Sequence, residues 1–352
     1  TLVARGIIGR TIDYLWDTFE RIDVIYICSN GSIARSNLSK LQVSVGDERA
    51  VPLATRLTLL PKELAPRGGT RTLADNKLNF VSFTPSTSFE MGNATGRADE
   101  RVVLYWLLEP LVGRQIPLMN LLQANVTRKD WWRSQFRDQP PALEPGIQGR
   151  FGAKLQSRAD LTAELHDLLE GPFARYRETW PDELRSRRNA LLGKLRQLLA
   201  TVCVDALEPD LVILDEFQRF KSLLEPREEE RSDAAELAHA LFHARTPEGN
   251  PPRILLLSAT PYKLYTTDAE IHEEDHYTDF LATTRFLMGD DPARVTSLQR
   301  QIADFGTTLK RAVHGQADGV GLAKASLEAS LRSVMARTER VGATEGADAM
   351  VE

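Results

Sequence analysis

Two short apolar runs, each ended by a compact polar cluster, most constrain what this chain can fold into. Leu211-Val212-Ile213-Leu214 runs into Asp215-Glu216, and Ile254-Leu255-Leu256-Leu257 runs into Ser258-Ala259-Thr260. Apolar residues that follow one another without alternation mark strands buried on both faces, as in parallel sheets covered by helices. Asp23-Val24-Ile25-Tyr26-Ile27-Cys28, closed by Ser29-Asn30-Gly31, reads the same way. So does Leu78-Asn79-Phe80-Val81-Ser82-Phe83 before Thr84-Pro85, and a further strand is expected at 57–60.

Helical periodicity fills the intervals. Val3, Ile7, Ile8, Ile12, Leu15, Trp16 and Phe19 predict a buried amphipathic helix over 2–19, and shorter helices are expected at 33–41 and 232–244. A long helical region begins at 100, is expected to break at Pro140-Pro141 and at 146–152, and continues to 206. Its last helix is the clearest, with Pro181 suited to a first helical position and an apolar stripe of Leu184, Leu191, Leu195, Leu198 and Val202. Strands alternating with helices predict an α/β fold with right-handed parallel crossovers, in which ligands sit beyond the carboxyl ends of the strands. Asp215, Glu216 and the Ser258–Thr260 cluster all fall at such ends. We expect an α/β domain over 1–264 with a helical insertion at about 100–207, then a mostly helical tail over 265–352.

Composition narrows the class of function. With 352 residues, 42% hydrophobic and 26% charged, the chain can build a sizeable core. Its two cysteines, Cys28 and Cys203, support neither a disulfide framework nor a cysteine-rich zinc site, which points to a reducing, cytoplasmic setting. No apolar run reaches the roughly 20 residues that span a bilayer. The net charge of −5 confines any nucleic-acid contact to a local surface.

Nucleotide hydrolysis requires a carboxylate to hold magnesium and a second group to orient or deprotonate the attacking water, both fixed at a rigid edge. Asp215 and Glu216 supply that pair after a buried strand, and adjacent side chains there diverge. Asp215-Glu216-Phe217-Gln218 resembles helicase motif II, and Ser258-Ala259-Thr260, about forty residues later, resembles motif III. Together they identify a resemblance to the first RecA-like lobe of superfamily-two helicases and Swi/Snf-type translocases. Ile27-Cys28-Ser29-Asn30 is similar to motif Ia and Thr84-Pro85-Ser86 to motif Ib. Residues 333–340 are similar to the basic segment that precedes the second lobe in Swi/Snf-type enzymes.

The resemblance implies a RecA-like parallel sheet flanked by helices, with ATP and Mg2+ as cofactors. Asp215 would hold magnesium through water, and Glu216 would activate the attacking water. Gln218 would contact the nucleotide, while Ser258 and Thr260 would couple nucleotide state to grip on nucleic acid. Ser29, Asn30, Thr84 and Ser86 would touch that partner, with DNA the expected form. A Walker A loop, Gly-x-x-x-x-Gly-Lys-Ser/Thr, does not occur in the sequence. In the family it leads directly into a helix like 2–19, so Thr1 is expected to be its last residue. The chain is accordingly read as a fragment that also stops before the second lobe, whose partnership the activity needs. The alternative is a non-catalytic nucleic-acid-binding or scaffold remnant.

Four further patterns compete for a function. His272-Glu273-Glu274-Asp275-His276 satisfies the zinc-peptidase pattern His-Glu-x-x-His, but acids fill both intervening positions and no third ligand is identifiable, so a solvated loop is expected. His239 and His243, four apart, are read as an ordinary surface or core pair. Arg128-Lys129-Asp130-Trp131-Trp132-Arg133, with Phe136 and Arg137, reads as core tryptophans among solvated charges, with single-strand contact as the alternative. Arg185, Arg187, Arg188, Lys194 and Arg196 are expected on a solvated helix face.

Overall fold

Strand β1 (Ile22–Ile27) lies in the middle of a sheet whose other members come from distant parts of the chain. The computed structural model describes residues 2–28, 44–45, 48–49, 52–54, 56–65, 77–84, 95–137, 140–220, 224, 233–245, 249–258, 276–315 and 318–336. Strands β2 (Ser44–Val45) and β3 (Glu48–Arg49) form a small antiparallel pair of their own. With β4 (Pro52–Ala54), β5 (Leu78–Phe83), β6 (Pro209–Asp215) and β7 (Arg253–Leu257), β1 forms a sheet in the order β4-β5-β1-β6-β7. Every pairing in it is parallel, and β4 contributes only three residues at one edge.

The unbroken apolar runs of β1, β5 and β6 are explained by burial on both sides, whereas β7, expected to be buried on both faces, is an edge strand and only partly buried. On one face Ile22, Val24, Tyr26, Leu78, Phe80, Leu211 and Ile213 pack against Ile8, Ile12 and Leu15 of the first helix, Leu2–Leu15. On the other, Ile25, Ile27, Val81, Phe83, Val212 and Leu214 are equally buried. Each such aliphatic side chain contributes about 1.5–3 kcal/mol relative to exposure. Polar pairing pins the amino-terminal ends: the Asp23 backbone N–H donates to Asp210 Oδ2 at 2.8 Å, and Asn79 Nδ2 donates to Asp23 Oδ1 at 3.0 Å. Those contacts tie β1, β5 and β6 together and oppose slippage in register.

Between β5 and β6 the described elements are helices: Ala98–Val112, Gln115–Gln123, Lys129–Ser134, Pro145–Gln156, Ala159–Glu170 and Asp182–Ala206. Several local expectations are corrected here. The run at 57–60 is no strand but a 3-10 turn, Leu57–Leu59, continued by the helical turn Leu60–Glu63. Pro61 has no N–H for a sheet ladder and a φ suited to a first helical turn. The expected break at 146–152 lies inside the helix Pro145–Gln156. Pro145 starts that helix, the Glu144 side chain caps Ile147 N–H, and Ile147, Phe151 and Leu155 bury one face. Capping and burial outweigh the roughly 1 kcal/mol that each internal glycine costs relative to alanine. Pro181 precedes the first turn of Asp182–Ala206 instead of entering it. The first helix ends at Leu15, short of Phe19, although Trp16 and Phe19 still pack against the core.

The chain divides into two compact units, Thr1–Pro261 and Tyr262–Glu352. In the second, the helices are His276–Leu287, Pro292–Val313 and Val320–Arg332. Asp291 caps Pro292–Val313 by accepting from Ala293 N–H at 2.9 Å, and Arg294 Nη2 donates to Ser333 Oγ at 3.2 Å. Among the described residues, no helix is long and apolar enough to cross a membrane.

Candidate functional site at the carboxyl edge of the sheet

Strand β6 carries Asp215 to the carboxyl edge between two parallel neighbours. Ile27 on β1 pairs with Leu214, and Leu257 on β7 pairs with Asp215. Ile27 also pairs with Phe83, and Cys28 N–H donates to Phe83 O at 3.3 Å. Cys28, Thr84, Asp215 and Ser258 therefore share one edge, each at or just beyond the end of its strand. Parallel register, set by the buried runs, brings together residues that the sequence separates by up to 230 positions.

Asp215 is held from a neighbouring strand. Leu211, Ile213 and Asp215 alternate onto the face covered by the first helix, where Tyr26 also points. The buried Tyr26 hydroxyl donates to Asp215 Oδ2. Nothing in the sequence singled Tyr26 out; a tyrosine inside an otherwise aliphatic buried run was the available signal, because such a hydroxyl needs a partner.

The backbone turns sharply after Asp215. Glu216 has φ +57°, in the left-handed region. For a residue other than glycine this costs on the order of 1–3 kcal/mol, and such positions cluster at functional sites. The turn leads into the 3-10 segment Phe217–Phe220, which buries Phe217. Gln218 Nε2 donates to Glu216 Oε2, while Gln218 Oε1 is buried without a hydrogen-bond partner. Asp215, Glu216 and Gln218 thus form one local constellation, with the glutamate carboxylate restrained by the amide two residues on.

Comparison with family models, with curated proteins and with solved structures finds no match for this chain. The chemistry of the edge is argued from its own residues. A half-buried carboxylate oriented by a phenol, beside a second carboxylate held by an amide, can bind a hydrated divalent cation and position a water. Of the residues expected here, Thr1, Ser29, Asn30, Ser86 and Thr260 lie outside the described residues. His272 does too, and so do residues 337–340 of the basic segment. Among the described residues, no group of three or more His, Cys, Asp and Glu is placed to hold a metal ion. His239 and His243 stack with ring centroids 3.9 Å apart, and His243 Nδ1 lies 2.9 Å from the His239 carbonyl oxygen.

A second polar centre lies inside the helical segment, and it corrects the expectation of a solvated arginine face. Arg185, Arg187 and Lys194 do lie outside, paired with Asp182, Asp167 and Glu164. Arg188 and Arg196 are buried instead. Arg196 Nη2 meets the fully buried Glu100 at 3.3 Å, Arg56 Nη1 reaches it at 3.4 Å, and Thr58 Oγ1 donates to it at 2.8 Å. Burial alone would raise the Glu100 carboxyl, but Arg196, the Arg97 N–H, Thr58 and Arg56 together hold it below the usual carboxylate range. Gly96, at φ +68°, closes the cluster: a Cβ there would stand 2.3 Å from Arg196 Nε. One glutamate among several in a long helical stretch gave no sequence signal, because its partners lie 44 and 96 positions away.

Proposed function

We propose that this chain is the first RecA-like lobe of a superfamily-two helicase or nucleic-acid translocase, acting with ATP and Mg2+. The observation that carries the reading is the Asp215-Glu216-Gln218 turn at the carboxyl edge of a parallel sheet, with Glu216 in a left-handed conformation and Asp215 bonded by Tyr26. In this reading Asp215 would hold hydrated magnesium, and Glu216 would take a proton from the water that attacks the terminal phosphate, with ADP leaving as the bond to its bridging oxygen breaks. Gln218 links Glu216 to the nucleotide. Ser258, one residue beyond the partner of Asp215, transmits nucleotide state along the edge with Thr260. Thr84, at the same edge, joins Ser29, Asn30 and Ser86 in touching the nucleic-acid backbone.

Phosphate binding in this reading needs a Walker A loop, and a second lobe would supply the opposing wall. The 352 residues contain no such loop. For the chain by itself we therefore propose nucleic-acid binding without turnover of ATP. The test joins a phosphate loop ahead of Thr1 and a second lobe after Glu352, then measures nucleic-acid-stimulated hydrolysis. Stimulated turnover that survives Glu216→Gln at full rate overturns the assignment.

A further inference from the structure

A cavity of about 230 Å³ opens in the helical segment, away from the sheet edge, between the turn after Gln115–Gln123 and the stretch before Asp182–Ala206. Its walls include Asn125, Thr127, Lys129, Tyr176, Arg177 and Trp180. Aromatic rings and cations alternate around it. Lys129 Nζ stands 5.3 Å from the Tyr176 ring centre, Arg133 is 5.8 Å from the same ring, and Arg177 is 5.8 Å from that of Trp180. Trp180 is braced from behind by stacking on the buried Phe173 at 4.3 Å, while Tyr176 is 39% exposed.

The wall is built, not incidental. Ala124 adopts φ +46°, and the turn it makes is fastened by Arg101, whose Nη2 donates to Asn125 Oδ1 at 3.0 Å. Asn120 Nδ2 donates to Phe173 O at 3.0 Å, joining the two sides. Arg101 is 1% exposed, its hydrogen bonds go to carbonyl and amide oxygens, and its Nε has no partner. Burial, and then the charge of Arg188, push Arg101 down to about 10, so it stays cationic at neutral pH. A buried cation without a hydrogen-bonded carboxylate thus stands behind the wall. Among the lining residues Lys129 and Arg177 are the cations and Glu178, which pairs with Lys129 at 3.4 Å, is the anion, while Arg133 adds a further cation at the Tyr176 ring.

We propose that this cavity takes one unpaired base of a nucleic-acid single strand, stacked on Tyr176 and Trp180, with Lys129 and Arg177 holding the flanking phosphates. The excess of cations selects an anion, and the ring faces select a planar group. The volume lies below the 300–1,000 Å³ of pockets that enclose a whole small ligand, which favours one ring entering while the rest of a strand runs outside. A base still stacked in a duplex cannot present its faces to these rings. The inference rests on the nucleic-acid reading above for its class of ligand, but not on hydrolysis at Glu216.

The test is fluorescence anisotropy of the full chain with a labelled oligothymidylate, a duplex of equal length, and thymidine monophosphate as competitor. Tyr176→Ala is expected to weaken single-strand binding about 10-fold, within the range for losing one aromatic stack, and Tyr176→Phe, which keeps the ring, to weaken it less than Tyr176→Ala does. Arg177→Glu is expected to weaken it similarly and to flatten its dependence on salt. Circular dichroism of each variant guards against unfolding. The proposal is overturned if wild-type chain does not bind the strand at low salt, if Tyr176→Ala and Arg177→Glu both bind as wild type does, if the duplex binds as tightly, or if the monophosphate competes equally well. Failure of the ATPase reading at Glu216, with the Tyr176 result intact, would leave this site standing.

Discussion

The phenolic hydroxyl of Tyr26 donates to the carboxylate of Asp215, so that a residue of the central strand β1 orients the last residue of β6. The bond crosses 189 positions of sequence and fixes a charged group at the edge where the next residue turns into a left-handed conformation. Orientation from a neighbouring strand makes the position of Asp215 a property of the sheet, not of its own loop.

Replacing the phenol tests that coupling. Tyr26→Phe keeps the buried ring and removes the donor to a charged acceptor, a loss of about 1.5–3 kcal/mol when the bond is buried. Asp215 is half-buried, so the lower end applies. Urea unfolding is expected to show a lower midpoint with an unchanged slope. An unchanged midpoint would mean that the bond contributes nothing to stability.

Chemistry at Glu216 is tested separately. In the protein joined to a phosphate loop and second lobe, Glu216→Gln is expected to lower turnover on the order of 10²-fold or more while ATP affinity is kept. The isosteric amide keeps the shape of the turn but cannot accept a proton. Steady-state rates together with nucleotide titration distinguish this from a binding defect.

Backbone strain at the same position gives a different prediction. Glu216→Ala and Glu216→Gly both remove the bond to Gln218, so their difference isolates the left-handed backbone. Glycine is expected to be more stable than alanine here by about 1 kcal/mol, the reverse of the usual preference inside helices and strands. Thermal melting of the pair decides it; an alanine variant equal to or above glycine would show that Glu216 is not strained.

At Glu100 the pH dependence has a definite sign. Its carboxyl is held below the usual range, against burial, by Arg196, the Arg97 N–H, Thr58 and Arg56. A depressed folded-state value contributes stability that is present above the unfolded value of about 4.3 and is lost as pH falls through the folded one. Glu100→Gln is expected to cost about 3–5 kcal/mol at neutral pH by leaving Arg196 buried opposite a neutral amide, and to flatten the acid limb of the stability curve. Chemical unfolding from pH 7 down to pH 3 is the measurement.

The strands were legible because burial on both faces leaves an unbroken apolar run, as at Val212, Ile213 and Leu214. Their ends were legible for the same reason, which is why Asp215 and Glu216 could be singled out before their surroundings were known. What local pattern could not carry was anything made by distant partners. Thr58 looked like part of a strand because its reach to Glu100 lies 42 positions away, and Pro61 was outvoted by its apolar neighbours. Arg196 looked solvated because charge on a helix usually is, until Glu100 supplied a buried counter-ion. The aromatic-cationic cavity drew on Trp180 and Tyr176, about fifty residues beyond the cluster at Arg128–Arg137 that had suggested such a surface.

The placement of β1 between β5 and β6 has a consequence for synthesis. Asp23 and Asp210, bonded at the start of these strands, are 187 positions apart, and the helical segment fills most of that interval. At about 5–20 residues per second, a ribosome takes roughly 10–40 s to travel from one to the other. During that interval β1 and β5 can pair, yet Val24, Tyr26 and Phe80 still lack the side chains of Leu211 and Ile213 that complete their layer. This layer of the sheet can therefore be completed only after the helical segment has been made and β6 has followed it. Transiently exposed apolar surface of this kind favours aggregation, here on the face of Val24, Tyr26 and Phe80 until β6 has been made.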